Sequence, residues 1–220
     1  KRKGMFNHIL AEKDSIAIQD IETYIDLWNW KELAENQKVD WNDQKVFNLF
    51  LENGDGSIWN AVSKNAPIEN IKSVIEEYAD YWNWTTLTER FDDNFIKEQV
   101  ENLNWDFEEL SYKEIDLVTS LITLPNLKDR DWDWNYLSKN LPNDFIESHI
   151  NEFPWDYFEI TISENEIFKN TFIKYRNDLE TLISKSWNWK FISEKINLNF
   201  LHKNISALSR KLDWHIVLNR

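Results

Sequence analysis

The stretch Trp-Asp-Trp-Asn-Tyr-Leu-Ser-Lys-Asn, residues 132–140, contains a phrase that recurs along the chain. The phrase is Trp, then Asn or Asp, then an aromatic residue, with Leu or Ile three positions after that aromatic. We call it the Trp-Asx phrase. A degenerate copy contains Trp59, and Trp214-His215-Ile216 is interpreted as the start of an eighth copy. The second aromatic positions are then 30, 59, 84, 107, 134, 157, 189 and 216.

Each phrase has the local signals of a helix start. Its Asn or Asp is an N-cap candidate, because a side-chain oxygen there accepts from free backbone N–H groups of the first turn. The Trp before the cap and the Leu or Ile four residues after the cap are the pair that forms a hydrophobic staple. At the third helical position, Glu32, Glu109 and Glu159 can reach back to the cap or favour the positive end of the helix dipole. The predicted caps are Asn29, Asn83, Asp106, Asp133, Asp156 and Asn188.

A second helix is predicted twelve residues after the second aromatic of four phrases. Apolar residues stand there and again four residues later, which is the helical period. The eight residues are Ile71, Ile75, Ile96, Val100, Ile146, Ile150, Leu201 and Ile205. Helices this short need neighbours for stability. We therefore predict an all-α fold, a solenoid-like array of short two-helix repeats of roughly 25 residues. Residues 1–23 are predicted as an N-terminal lead-in helix or cap, and residues 24–220 as the Trp-rich array, part of a longer protein.

The phrase at residues 132–140, followed by Phe145-Ile146 and Pro154-Trp155-Asp156, resembles the tandem Trp-Asx-Trp-x-x-Leu-Ser repeats of giant-virus and some bacterial proteins. The resemblance covers roughly residues 24–220. It implies a repeat architecture and no particular activity, because these repeats have no common assigned activity. The copies here are irregularly spaced between Phe107 and Trp134 and between Tyr157 and Trp189, which predicts a bend at each place.

Composition excludes several kinds of chemistry. The chain has 220 residues, 42% of them hydrophobic, with no Cys, three Gly and four His. Thiolate metal sites and thiol nucleophiles are therefore absent, and no Walker A, GxGxxG or GxSxG pattern can be written. The four His residues are far apart, and no HExxH motif occurs. We predict a protein that is not an enzyme and has no cofactor or metal. Without a long apolar segment or signal peptide it is also predicted to be cytoplasmic and not membrane-bound.

The tryptophans are predicted to be mainly structural. Twelve of the thirteen belong to the phrase, so one structural cause explains nearly all of them. The staple pairing places the first Trp of each phrase in the core, and the periodicity places the second aromatic at a repeat interface or its edge. Trp41 stands outside the phrase and is the ring most free to make a surface contact.

Charge is distributed unevenly along the chain. The net charge is −14, yet residues 169–220 contain ten Lys and Arg against four Asp and Glu. This basic segment supplies the candidate partner or phosphate contacts Lys185, Lys190, Lys195, Lys203, Arg210 and Lys211.

These observations favour a non-catalytic interaction or recognition module. Its expected partner is another protein or other domains of the same chain. The alternative is a nucleic-acid recognition region that uses the basic segment. A third reading is a glycan site lined by the aromatic rings.

Overall fold

A computed structural model of the chain describes residues 14–163, 165–174 and 179–219. These residues form an all-helical structure, in which the one β-type pairing is an isolated parallel bridge between Ile16 and Val39. The chain divides into two compact units, Lys1–Leu110 and Ser111–Arg220. The all-α prediction is confirmed. Most of the predicted lead-in segment, residues 1–13, lies outside the described residues.

Residues 14–110, the described part of the unit Lys1–Leu110, form short helices and one 3-10 turn, Ile25–Leu27. Its helices are α1 Ile18–Thr23, α2 Trp30–Ala34, α3 Gln44–Asn53, α4 Trp59–Asn65, α5 Ile68–Lys72, α6 Trp84–Arg90, α7 Asp93–Gln99 and α8 Phe107–Leu110.

The unit Ser111–Arg220 is built in the same way. Its helices are α9 Ile115–Ile122, α10 Trp134–Asn140, α11 Asn143–Ser148, α12 Tyr157–Ser163, α13 Asn165–Lys174, α14 Leu179–Ser184, α15 Trp189–Lys195, α16 Leu198–Leu208 and α17 Trp214–Leu218.

Helices α2, α4, α6, α8, α10, α12, α15 and α17 each begin at the aromatic residue of a Trp-Asx phrase, and we call them phrase helices. All six predicted caps are confirmed, with the Asx side chain accepting from a backbone N–H of the first turn. The donors lie at the third helical position, and the nitrogen-to-oxygen distances are 2.9–3.3 Å. The local sequence therefore fixes where each of these helices starts.

The eighth phrase has a different register from the predicted one. Helix α17 begins at Trp214 and is capped by Asp213, whose carboxylate accepts from the backbone N–H of His215 and of Ile216. Trp214 is therefore the second aromatic of its phrase, and Leu212 stands where other phrases have their first Trp. The prediction that placed the second aromatic at residue 216 was wrong by two residues.

Seven of the eight positions that the helical period predicted are buried. Three of them, Ile75, Val100 and Ile150, lie just past the ends of α5, α7 and α11. Ile205 is exposed instead, so that part of the prediction was wrong. Asn204, just before Ile205, has non-helical angles (φ −123°, ψ 19°), but His149 has similar angles (φ −113°, ψ 19°) just before the buried Ile150. The packing of α16, and not the backbone break alone, therefore leaves Ile205 uncovered.

The aromatic residues of the phrases divide as predicted. The first Trp is buried in five phrases, and the indole N–H of four of these rings donates to a backbone carbonyl five to seven residues earlier. Most second aromatics are half-buried. Trp41, however, is only 8% exposed, and its ring stacks on Phe50 with centroids 4.5 Å apart. The surface role predicted for Trp41 was wrong, because tertiary packing against α3 covers the ring.

Consecutive phrase helices pack against each other within each unit, as α4 does with α6 and α10 with α12. A recurring hydrogen bond accompanies this packing. A buried Ser or Thr, four residues after the second aromatic, accepts from the backbone N–H of the next phrase's cap. We call it the junction hydroxyl. The five pairs, at 2.8–3.1 Å, are Ser63 with Asn83, Thr88 with Asp106, Ser111 with Asp133, Ser138 with Asp156, and Ser193 with Asp213.

The junction hydroxyl alters one prediction about the caps. Glu109 and Glu159, at the third helical position, were predicted either to reach back to the cap or to favour the positive end of the helix dipole. The cap N–H groups of Asp106 and Asp156 donate to the junction hydroxyls of the preceding phrase helix. Glu159 forms an ion pair with Lys139 of that helix at 3.3 Å. These two caps are therefore completed by the preceding phrase helix.

Polar side chains add further hydrogen bonds at these junctions. Thr85 donates to the cap Asp106 at 2.5 Å, and Asn135 donates to the cap Asp156 at 3.2 Å. Six residues after the second aromatic, Asn65 donates to the carbonyl of Ala34 at 3.0 Å. Arg90, at the corresponding place in α6, donates to the carbonyls of Ser63 and Ala66. These bonds fix the spacing of neighbouring phrase helices.

Candidate interaction surface

The six predicted contact residues all lie in the unit Ser111–Arg220. Lys185 follows α14, Lys190 and Lys195 belong to α15, Lys203 belongs to α16, and Arg210 and Lys211 lie in the turn after α16. Five of them are exposed. Lys185 is half-buried, and its Nζ lies 5.2 Å from the centroid of the Tyr157 ring, which is within cation–π distance.

Two of the six occupy positions that form junctions elsewhere in the chain. Lys190 follows the second aromatic directly, as Thr85 and Asn135 do, and those two side chains donate to the next cap. Lys195 is six residues after the second aromatic, which is the position of Arg90. Lys190 and Lys195 are nevertheless exposed, as are Lys203, Arg210 and Lys211. The last three lie on α16 or in the turn that follows it.

The same region exposes large aliphatic side chains. Leu198 at the start of α16 is 60% exposed, and Ile205 in the same helix is 47% exposed. The other side of α16 is buried through Leu201 and Leu208. Solvation of exposed aliphatic groups is unfavourable, so a surface that combines them with cations is suited to bind another protein.

An open groove lies elsewhere in the unit Ser111–Arg220. It has a volume of about 440 Å³, and its lining includes Phe153, Thr123, Lys128, His149 and Glu152. The Thr123 hydroxyl already donates to the carbonyls of Thr119 and Ser120. The His149 ring stacks on both Phe145 and Phe153, with centroid distances of 4.4 and 5.4 Å. These contacts use the groove's hydroxyl and imidazole for packing and helix bonding.

The shifted pKa values belong to the scaffold. Burial alone would raise the pKa of Asp133, but hydrogen bonds from the Tyr112 hydroxyl and two backbone N–H groups, with nearby Lys139, lower it. The pKa of Asp92 is lowered mainly by the backbone N–H of Phe95. Both carboxylates are helix caps, where such shifts are expected without catalysis.

Metal and membrane sites were also sought. The described residues hold no cluster of three or more His, Asp and Glu side chains placed to bind a metal ion. In the same part of the chain, no helix is both long and apolar enough to cross a bilayer.

Sequence reasoning identified the charge of this surface but not its apolar component. The exposure of Leu198 and Ile205 depends on how α16 packs, which is not a local sequence signal. The junction hydroxyls were visible as a repeated Ser or Thr, but their acceptor role depends on the next repeat. No protein-family model, curated protein or solved structure matches the chain.

Proposed function

We propose that this chain is a non-catalytic helical-repeat module that binds a protein partner or other domains of its parent chain. The phrase helices would form a solenoid-like array of two-helix units, of the kind seen in tandem Trp-Asx-Trp repeats. The recurring junction supports this architecture, since five phrases use a buried hydroxyl at the same position to receive the next cap. Such arrays provide extended binding surfaces.

The observation that carries the binding role is the pairing of exposed aliphatic and cationic side chains on α16. Leu198 and Ile205 are exposed beside Lys203 in the same helix. Burying such aliphatic groups against a partner stabilises a complex by about 1.5–3 kcal/mol per side chain. An acidic partner with apolar residues would satisfy both kinds of group.

Parallel affinity capture and crosslinking test the role. The bait proteins are the unaltered chain, Leu198→Ser/Ile205→Ser, and the control Leu27→Ser, which changes an exposed leucine of the other unit. We expect the unaltered chain and the control to recover the same partner and the double variant to lose it. Equal recovery by all three would exclude α16 as the binding surface.

A second candidate is nucleic-acid recognition, favoured by the exposure of Lys203, Arg210 and Lys211. Phosphate contacts would make binding weaken steeply with salt. Fluorescence anisotropy of labelled DNA and RNA, at low and physiological salt, tests this candidate. Lys203→Glu/Arg210→Glu/Lys211→Glu should abolish salt-sensitive binding, and unchanged binding would reject it.

A further inference from the structure

The exposed side of α16 lacks the apolar cover that its other side has. Leu198, His202 and Ile205 are exposed along this side, and Lys203, Arg210 and Lys211 lie beside or after it. The Phe200 ring of the same helix packs edge-on against the Phe172 ring of α13, with centroids 5.3 Å apart. This contact anchors α16 on α13. We call the surface formed by Leu198, His202, Lys203 and Ile205 the α16 face.

The chain itself contains a region of opposite charge. Residues 169–220 carry a net charge of +6, and the whole chain carries −14, so the preceding residues are strongly acidic. The chain therefore also carries acidic surface, which is complementary in charge to the α16 face.

One acidic surface in the unit Lys1–Leu110 also has exposed aromatic area. Tyr81 is 56% exposed, and its ring stacks on Trp59 with centroids 5.1 Å apart. Glu76, Glu77 and Asp80 precede it and are exposed. Partial burial raises the pKa of neighbouring Tyr78, as do the charge of Glu77, a hydrogen bond with its side chain, and the charge of Glu52. We call Glu76, Glu77, Tyr78, Asp80 and Tyr81 the acidic tyrosine patch.

We infer that the α16 face of one molecule docks on the acidic tyrosine patch of a second copy of this chain. Lys203 and Arg210 would meet carboxylates or lie over the Tyr81 ring, and Leu198 and Ile205 would cover aromatic carbon. A phosphate backbone would use the cations but leave the two aliphatic side chains in water, so the apolar groups favour a protein surface. The inference rests on the proposed function and deepens it by naming the partner.

Overall repulsion between two chains of net charge −14 does not prevent this contact. At physiological ionic strength, charges separated by more than about 8 Å are largely screened. Directly opposed charges across a contact are screened less. Because the two surfaces differ, the contact is heterologous. Copies joined in this way close into a ring or continue as an open filament, depending on the rotation between successive copies.

Sedimentation velocity over a range of protein concentrations tests the inference. We expect concentration-dependent association that weakens as salt rises. Leu198→Ser/Ile205→Ser should raise the dissociation constant by about tenfold or more, because it removes two buried apolar contacts. Leu27→Ser, an exposed leucine outside both surfaces, is the matched control and should associate like the unaltered chain.

A charge exchange identifies the two surfaces as partners. Lys203→Glu and, separately, Glu77→Lys/Asp80→Lys should each weaken self-association. A mixture of these two proteins pairs a reversed α16 face with a reversed patch and should associate more strongly than either alone. Circular dichroism confirms that each variant is folded, which is expected because all of the changed side chains are exposed.

Three results would overturn the inference. They are a monomer at every concentration and salt, association that both sets of variants leave unchanged, and no recovery in the mixture. If the chain stays monomeric while α16 variants still lose a different captured protein, the self-partner is rejected and the proposed function stands. If the α16 variants retain both self-association and capture of a partner, the inference and the proposed function are both rejected.

Discussion

Ser138→Ala tests the junction between two phrase helices. Ser138 is fully buried, and its Oγ lies 2.8 Å from the backbone nitrogen of Asp156, which is partly buried. Alanine leaves that N–H without its acceptor, which costs about 1–3 kcal/mol. Alanine also has the better helix propensity, which returns about 0.5 kcal/mol. We therefore expect the free energy of unfolding to fall by about 1–2 kcal/mol.

Urea unfolding gives the global loss, and amide hydrogen exchange at Asp156 gives the local one. Ser138→Thr is the rescue variant, because Thr88 is a natural junction hydroxyl. Ser148→Ala is the control, since Ser148 is exposed and its hydroxyl donates to the Phe145 carbonyl of its own helix. A loss below about 0.5 kcal/mol, with unchanged exchange at Asp156, would refute the view that the hydroxyl holds the junction together.

Three other perturbations test the core, the caps and the helix ends. Trp132→Phe should cost at least about 1 kcal/mol more in urea unfolding than Trp41→Phe, because Trp132 donates to the Leu127 carbonyl at 2.8 Å, whereas the buried Trp41 indole nitrogen has no hydrogen-bond partner. Equal losses would contradict this account. The lowered pKa of Asp133 makes its contribution to stability full above its unfolded pKa near 3.8, and that contribution is lost as pH falls through the lower folded value. Asp133→Asn should therefore flatten the loss of stability measured between about pH 5 and pH 2, and an unaltered profile would count against the cap interaction. Arg90→Met should lower the melting temperature by removing about 2 kcal/mol of charged hydrogen bonding to the carbonyls of Ser63 and Ala66, and an unchanged melting temperature would show that water replaces these bonds.

The helix starts were predictable because capping is local. The Asx side chain and its N–H donor are three residues apart, so the sequence contains both members of the bond. The register at Asp213 was missed because the prediction relied on the first Trp of the phrase. Leu212 stands at that position, so the phrase was placed two residues late.

Burial was predictable at seven of the eight apolar positions of the second helices. Ile150 follows Ile146 by four residues and is buried as expected, although α11 ends before it. Ile205 follows Leu201 at the same distance and is exposed, because no other element in the described part of the chain covers that side of α16. Trp41 was assigned to the surface because no local pattern includes it, whereas its burial comes from stacking on Phe50 of α3. Both errors depend on tertiary structure.

The candidate surface was predictable in charge and not in shape. Counting Lys and Arg in residues 169–220 locates a basic region without any structure. Whether a given cation is exposed depends on packing: Lys185 is half-buried, whereas Lys190, Lys195 and Lys203 are exposed. The aliphatic component became visible only once the buried side of α16 was known.

The hydroxyl at each junction has a consequence for how such a chain can lengthen during evolution. A phrase helix such as α10 has a cap N–H that donates to the preceding phrase and a hydroxyl that accepts from the following phrase. The two groups are therefore complementary from one repeat to the next. A duplicated gene segment that encodes one repeat therefore yields a copy whose cap and hydroxyl can bond to both of its new neighbours. Besides the buried apolar residues of the phrase, selection has to preserve a Ser or Thr at one helical position and an Asx cap at another. The remaining surface residues are then free to diverge.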